Sequence, residues 1–358
     1  MKNRLLSLVL IISSLLCTKG TLLYSQSIEL SIDSLIATKF QSDQPGGVFL
    51  ASRQGKVIYK KAVGLANLEL GVPMQTNHVF EIGSLSKQFT AIAIMMLLEE
   101  GKLGLDDPVT KYIPDYPTAG HSITIHHLLT HTSGVKDFTQ VSGLNDIASI
   151  DKTPLELIDF FKNEPMDFPP GEQYKYNNSG YVLLGYIIEV VSGASYEDFI
   201  NNQIFQKVGM TSSNYNSHSK VIKNRASGYQ LKKEQLLNRR IISFTLPYAS
   251  GALMSTVDDM YKWQKAITNH ELINKETTEK VFTNYTTSNG NPIDYGYGWH
   301  LKDSDDYLFI EHGGSIFGFK SMGVYIPEVD LYVIGFSNCD CNSPTQLVRD
   351  IARLILSR

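Results

Sequence analysis

The segment from Phe89 to Leu98 is apolar on almost every side, and Gly101 follows it as a helix stop. A helix without a polar face has to be buried in a protein core, and this 10-residue segment is too short to span a bilayer. The chain has 358 residues, of which 42% are hydrophobic, so it is long enough to bury such a helix. The sequence therefore predicts a large globular fold around a central helix.

Strand patterns occur at both ends of the chain. Two β-rich runs within residues 47–67 flank Arg53-Gln54-Gly55 and predict a hairpin. Three further strands and a final amphipathic helix are predicted near the C-terminus, at Tyr307–His312, Phe319–Ile326, Leu331–Phe336 and Pro344–Leu356. We therefore expect an α/β fold of the α+β sandwich type. Its antiparallel sheet is built from N- and C-terminal strands and flanked by helices.

Helix signals dominate the middle of the chain. Thr153-Pro154 matches a helix cap with proline at the first position, Gly193 matches a helix end, and Ser195 with Asp198 resembles a capping box. The sequence predicts an all-helical insertion at residues 108–244 in an α/β domain formed by residues 27–107 and 245–358. Residues 27–358 are thus expected to form one interleaved unit.

Residues 1–26 have the pattern of a secretory signal peptide. Lys2 and Arg4 precede an apolar run from Leu5 to Leu16, which is shorter than the ~20 residues of a membrane span. Cys17 allows a lipoprotein as the less favoured alternative, because the bulky Leu16 precedes it. We expect a secreted or periplasmic protein without a stable membrane span once the signal is removed.

Charge and cysteine content exclude several classes of protein. Basic and acidic residues number 32 and 36, a net charge of −4, and no basic stripe suited to nucleic acid is visible. We therefore expect no nucleic-acid partner. Three cysteines cannot build a disulfide scaffold, and Cys339 and Cys341 are expected to be too close in sequence to bridge each other.

The pattern S-x-x-K occurs four times, and only Ser84 with Lys87 opens a long buried helix. The other three differ in context: Ser133, of the Ser133/Lys136 pair, precedes Gly134, and the pairs Ser149/Lys152 and Ser217/Lys220 lie in polar, loop-like stretches. At a helix start the backbone N–H of Ser84 is an unpaired donor in the positive end of the helix dipole. Lys87 lies one turn on, where partial desolvation lowers the pKa of its amine and makes it a proton acceptor. The alternative is a serine helix cap with a solvated lysine.

Two further segments carry candidate site residues. Tyr176-Asn177-Asn178 is the one Y-x-N of the chain, and His312-Gly313-Gly314 ends a predicted strand. Taken alone, the first could be a half-buried aromatic at a helix start, and the second a strand ending in a turn.

Together the three segments resemble the serine penicillin-recognising enzymes, which include class C β-lactamases, D,D-carboxypeptidases and related esterases. The family pattern is S-x-x-K, then Y-x-N, then K-T-G or H-x-G. TIHHLLTHTSGV at 124–135 and SGALMSTVDDM at 250–260 also resemble family segments. The resemblance covers nearly the whole mature chain and implies a β-lactamase/transpeptidase-like fold.

The chemistry expected of Ser84 is attack on a carbonyl to form an acyl-enzyme. To act as a base at neutral pH, a tyrosine would need its pKa lowered by about 3 and a lysine by about 3.4. These shifts are too similar to decide between Tyr176 and Lys87 as the base. We therefore expect the two side chains to act as a coupled pair that shares a proton. The resemblance implies that Tyr176 passes the proton to the leaving group. It also implies that Asn178 hydrogen-bonds Lys87 and the substrate amide, and that the N–H groups of Ser84 and Ser315 form the oxyanion hole.

The third segment departs from the β-lactamase pattern, because His312 replaces lysine and Gly313 replaces threonine. We expect His312, Gly313 and Gly314 to contact substrate, with weaker carboxylate binding that improves below pH about 6.5 as His312 gains charge. The expected function is hydrolysis of a D-amino-acid peptide or an ester, so the partner is a small-molecule or peptide substrate. The alternatives are a class C-like β-lactamase and a penicillin-binding sensor that stays acylated.

A metal site would need convergent ligands. His127 and His131 lie four residues apart and His126 adds a third imidazole, but no H-E-x-x-H pattern is present. The sequence therefore predicts no metal and no cofactor.

Overall fold

The computed structural model describes residues 27–358. The predicted signal peptide and Cys17 lie outside these residues. Within them, no helix has both the length and the apolar character needed to cross a membrane.

The strands come from both ends of the chain, as predicted. In chain order they are β1 (Gly47–Arg53), β2 (Lys56–Val63), β3 (Leu65–Asn67), β4 (Val72–Pro73), β5 (Phe80–Glu81), β6 (Asn214–Tyr215), β7 (Tyr229–Lys232), β8 (Gln235–Asn238), β9 (Leu253–Ser255), β10 (His300–Ser304), β11 (Tyr307–Ile316), β12 (Phe319–Ile326) and β13 (Leu331–Ser337). The main sheet has the order β10-β11-β12-β13-β1-β2, and every neighbouring pair is antiparallel. The predicted hairpin around Gln54-Gly55 is the β1–β2 connection, and the predicted antiparallel sheet is confirmed.

The helices follow the predicted order. They are α1 (residues 27–37), α2 (Ser86–Glu99), α3 (Ile125–Leu129), α4 (Leu144–Ile147), α5 (Pro154–Phe161), α6 (Asn178–Ser192), α7 (Tyr196–Ile200), α8 (Tyr248–Gly251), α9 (Val257–Thr268), α10 (Lys275–Val281) and α11 (Thr345–Leu356). Thr153, Gly193 and Ser195 occupy the predicted caps of α5, α6 and α7. The cap signals therefore identified these helix ends correctly.

The sheet separates two apolar layers, because side chains alternate between its faces. In β1, Phe49 and Ala51 pack with α1 and α11, whereas Val48 and Leu50 face the larger core that contains α2. The helix α2 lies between the sheet and the inserted helices, with α6 packed against it. This position explains why its sequence lacks a polar face.

Two sequence predictions need correction. Residues 108–244 are helical with loops up to Phe205, where a π-helical turn extends α7, but β6, β7 and β8 lie beyond, so the insertion is not all-helical. The β7–β8 turn is formed by Lys233 and Glu234, both at positive φ, and lacks the Asn-Gly or Asp-Gly signal of such turns. The domain boundaries themselves stay a prediction.

The second correction concerns Cys339 and Cys341, which form a disulfide. The chain turns directly after β13, where the Asn342 N–H donates to the carbonyl of Cys339. This turn brings the two Cα atoms to 5.1 Å, within the usual range for a bridge. The short sequence separation was therefore the wrong criterion.

A substitution at the aromatic contact between α2 and α9 tests the described packing of the core. Phe89 is fully buried, and its ring stacks on Trp263 with centroids 4.0 Å apart. Phe89→Ala should lower the free energy of unfolding by about 3–5 kcal/mol, because removal of the ring leaves a cavity that the surrounding buried side chains cannot fill completely. Leu70→Ala, at a side chain that is 79% exposed, should change it by less than about 0.5 kcal/mol. Equal losses in urea unfolding of the two variants would contradict this description of the core.

Candidate active site

Ser84 lies in a short 3₁₀ turn, Gly83–Leu85, between β5 and α2. Gly83 has φ +53°, and a Cβ there would lie 2.8 Å from the backbone nitrogen of Ser315. Glycine is therefore required both for the turn and for the close approach of β11. Ser84 therefore lies directly before α2, at the start of the buried helix that the sequence predicted it to open.

The amine of Lys87 lies beneath Ser84 and is fully buried. Its Nζ donates to Ser84 Oγ at 3.2 Å, to Asn178 Oδ1 at 2.8 Å and to the Ser250 carbonyl at 2.9 Å. Burial away from water lowers the pKa of Lys87 to about 7, and the Asp137 carboxylate opposes part of this shift. The predicted serine–lysine contact is therefore present, with the amine close to its titration midpoint at neutral pH.

Asp137 is a site residue that the sequence analysis missed. Its Oδ2 accepts hydrogen bonds from both the backbone N–H and the side-chain Nδ2 of Asn178, each at 3.0 Å. One amide hydrogen of Asn178 is therefore already donated, although the contact predicted between Asn178 and Lys87 is present. Asp137 follows the 124–135 segment by two residues, and this proximity was the one signal for it in the sequence.

The phenol of Tyr176 faces the same amine. Lys87 Nζ lies 4.8 Å from the centre of its ring, and the hydroxyl is buried with no hydrogen bond of ordinary geometry among the described residues. Burial raises the pKa of Tyr176 well above its usual value, and a longer interaction with Ser84 offsets only part of the effect. The phenol is therefore protonated at neutral pH.

The structure corrects the expectation for His312. The imidazole is 2% exposed, its Nε2 lies 3.1 Å from the hydroxyl of Tyr295, and its Nδ1 lies 2.6 Å from the carbonyl of Gly313. Burial, the neighbouring His300 and Lys87 hold the pKa of His312 well below its usual value. His312 is thus neutral at neutral pH, and the improved carboxylate binding on mild acidification is no longer expected from it.

Glycine at position 314 lets β11 approach the nucleophile. A Cβ at Gly314 would lie 1.9 Å from the carbonyl oxygen of Ile82, directly before the Ser84 turn. The same strand places the backbone of Ser315 beside Gly83. Ser84 and Ser315 thus lie on adjacent segments, and their roles as oxyanion donors stay a prediction, as do substrate contacts by Gly313 and Gly314.

The three histidines considered as metal ligands do not converge. His126 Nδ1 contacts the hydroxyl of Tyr297 at 2.8 Å, His127 Nδ1 accepts from the Thr124 N–H, and His131 Nδ1 accepts from the Asn177 N–H. Over residues 27–358, no group of three or more His, Cys, Asp or Glu side chains is arranged to hold a metal ion. The Nδ1 atom of each of these three histidines thus makes a hydrogen bond within the protein.

Two clefts meet at Ser84. One, of about 540 Å³, is mainly apolar, and its wall includes Phe138, Leu144, Ile242, Leu246 and Phe317. The other, of about 550 Å³, is more polar, and its wall includes Tyr174, His300, His312, Ser343 and Thr345. The nucleophile can therefore meet a substrate whose two ends lie in chemically different surroundings.

Comparison with known proteins places this geometry in a family. The Beta-lactamase family model matches residues 32–357. Penicillin-binding protein 4* of Bacillus subtilis is 32% identical over 306 residues, which cover 81% of this chain and 67% of that protein. The octameric penicillin-binding protein homologue of Pyrococcus abyssi has a TM-score of 0.80 and 32% identity, with 93% of this chain and 77% of that chain covered.

A further structural neighbour is the D-amino acid amidase of Ochrobactrum anthropi, in complex with L-phenylalanine amide. Its TM-score is 0.78 at 24% identity, and the match covers 93% of this chain and 97% of that chain, so it supports the fold alone. The resemblance and the fold expected from the three motifs are confirmed. The chain belongs to the beta-lactamase family and is a serine hydrolase of that fold.

Proposed function

We propose that this protein is an exported hydrolase that cleaves an amide or ester bond next to a D-amino-acid residue through an acyl-enzyme on Ser84. The observation that carries the proposal is the contact between Ser84 Oγ and the buried amine of Lys87. An amine with a pKa of about 7 is partly neutral under physiological conditions and can accept the serine proton.

The two candidate bases, which the sequence left open, differ in the direction of their pKa shifts. Burial favours the neutral form of both, which is the base form of Lys87 and the acid form of Tyr176. Lys87 is therefore the base for acylation in this mechanism. Tyr176 is a neutral donor beside it, suited to pass the proton towards the leaving group.

The acylation step transfers one proton and exchanges one bond. Lys87 takes the hydroxyl proton while Ser84 Oγ bonds to the substrate carbonyl carbon, and the negative charge moves to the carbonyl oxygen. The backbone N–H groups of Ser84 and Ser315 stabilise that oxygen. The bond to the leaving nitrogen or oxygen then breaks as Tyr176 donates a proton to the leaving group. Lys87 in turn gives Tyr176 the proton that it took from Ser84. In the second half-reaction water attacks the ester carbonyl carbon and Lys87 takes one of its protons. The bond to Ser84 Oγ then breaks, and this oxygen receives the proton from Lys87 as the acid leaves.

The apolar cleft supports a substrate with a large apolar side chain. Its wall contains the rings of Phe138 and Phe317 beside the branched chains of Leu144 and Ile242. Such surfaces bind apolar groups mainly by removing them from water.

Acylation by penicillins is the second candidate, because two of the similar proteins are named as penicillin-binding. Intact-protein mass spectrometry as a time course separates the possibilities. With D-phenylalanine amides or short esters, the proposal expects turnover and a transient adduct on Ser84. A persistent penicillin adduct indicates a sensor or peptidase, and penicillin turnover without accumulation indicates a β-lactamase. Absence of any turnover of amides and esters would overturn the proposal.

Export is proposed from residues 1–26 and is supported by the disulfide between Cys339 and Cys341. Stable disulfides form mainly in oxidising compartments outside the cytoplasm. A periplasmic or secreted location is testable by fractionation of cells that carry the full chain. Recovery of the unprocessed protein in the cytoplasm would contradict it.

Removal of the nucleophile gives the most direct activity prediction. Ser84→Ala should lower kcat/KM by on the order of 10³-fold or more without loss of fold. Ser149→Ala, which removes an exposed serine of another S-x-x-K, should leave the rate unchanged. Retention of near-wild-type activity by Ser84→Ala would remove Ser84 from the mechanism.

The pH profile gives a second prediction. Because the base is neutral Lys87, kcat/KM should fall as pH decreases through about 7. Asp137→Asn removes the negative charge that raises the pKa of Lys87, so the midpoint should move to lower pH even as the maximal rate falls. Asp258→Asn, at a surface carboxylate paired with Lys60, should leave the midpoint in place. A midpoint that rises or does not move in Asp137→Asn would contradict the assignment.

A further inference from the structure

Among residues 27–358, Lys320 is the one lysine or arginine side chain that lines both clefts at Ser84. It lies on β12 directly opposite Ser315 of β11 in the sheet register. Its Nζ donates to Ser315 Oγ at 2.7 Å, next to the backbone that approaches the nucleophile turn. A cation is therefore fixed at the point where the two clefts meet.

The amine of Lys320 has no carboxylate partner. Across residues 27–358, no Asp or Glu oxygen lies within ion-pair distance of its Nζ, whereas Lys302 and Arg349 both bind Glu311. Asp340, the one acidic residue in the cleft walls over this range, lines the apolar cleft. Its carboxylate accepts from Gln230 Nε2 at 3.0 Å and from the Leu231 N–H at 3.3 Å. The polar cleft thus contains an uncompensated positive charge.

The two imidazoles that line the polar cleft are neutral at neutral pH. His312 is buried and His300 is partly buried, and loss of contact with water lowers the pKa of each imidazole below its usual value. Lys87 lies beneath the surface, with its three donor contacts made to protein oxygens. An anionic group of a substrate in this cleft has Lys320 as its one cationic partner among the described residues.

We infer that Lys320 determines specificity by binding a carboxylate on the part of the substrate that occupies the polar cleft. This inference rests on the proposed hydrolase function and narrows its substrates to amides or esters that carry such a carboxylate. A charged hydrogen bond of this kind is stronger than a neutral one, and it exists for the free acid but not for its amide.

Binding to a catalytically silent protein tests Lys320 apart from turnover. The probes are N-acetyl-D-phenylalanyl-D-alanine and its C-terminal amide, titrated calorimetrically into Ser84→Ala. The acid should bind more tightly than the amide, and adding Lys320→Met should reduce that preference by on the order of 10–100-fold. Adding Lys320→Arg, which keeps the charge, should retain most of it.

The matched control is Lys275→Met in the same background, because Lys275 lies on α10 with its side chain 77% exposed. This control should leave the preference for the acid unchanged. The inference is wrong if acid and amide bind equally, if neither binds, or if Lys320→Met leaves the preference intact. If the wild-type protein does not hydrolyse the probes, the proposed hydrolase function is contradicted. The difference in affinity between acid and amide separately tests whether Lys320 binds the carboxylate.

Discussion

The burial of one amine controls the chemistry of this molecule. Lys87 gives up its contact with water because α2 is enclosed by the sheet on one side and by the inserted helices on the other. A charged amine is costly there, so its pKa moves to about 7. The same enclosure that makes the helix a stable core element also makes the lysine a base.

The fold places hydrogen-bond acceptors from distant parts of the chain around that amine. Asn178 begins α6 in the insertion, Ser250 belongs to α8 after it, and Ser84 precedes α2 in the N-terminal part. All three present oxygen atoms, which satisfy the three N–H groups of a protonated amine or orient a neutral one. The interleaved chain order is thus what assembles the site. Asp137 adds a second layer by holding Asn178 in place and by keeping the pKa of Lys87 from falling further.

Local patterns were enough to predict much of this arrangement. The apolar helix, its serine and lysine one turn apart, and the caps at Thr153 and Gly193 depend on short-range geometry, and the structure has them where the sequence indicated. The motif order identified the family, and with it the positions of Tyr176 and Asn178.

The features that sequence reasoning missed depend on contacts between distant segments. The neutral state of His312 follows from its enclosure by Tyr295 and His300, which no local pattern shows. The part played by Asp137 depends on its position beside Asn178, and that of Lys320 depends on the register of two strands. The Cys339–Cys341 bridge depends on the turn after β13.

The most direct test of the account is the pKa of Lys87 in the folded protein. Heteronuclear NMR of protein with ¹³Cε-labelled lysine, with the Lys87 signal assigned from Lys87→Arg, reports the titration of each amine separately. The account predicts that the assigned Lys87 signal titrates near pH 7. A midpoint for Lys87 near the ~10.4 of an unperturbed lysine would contradict the role of a buried, neutral base.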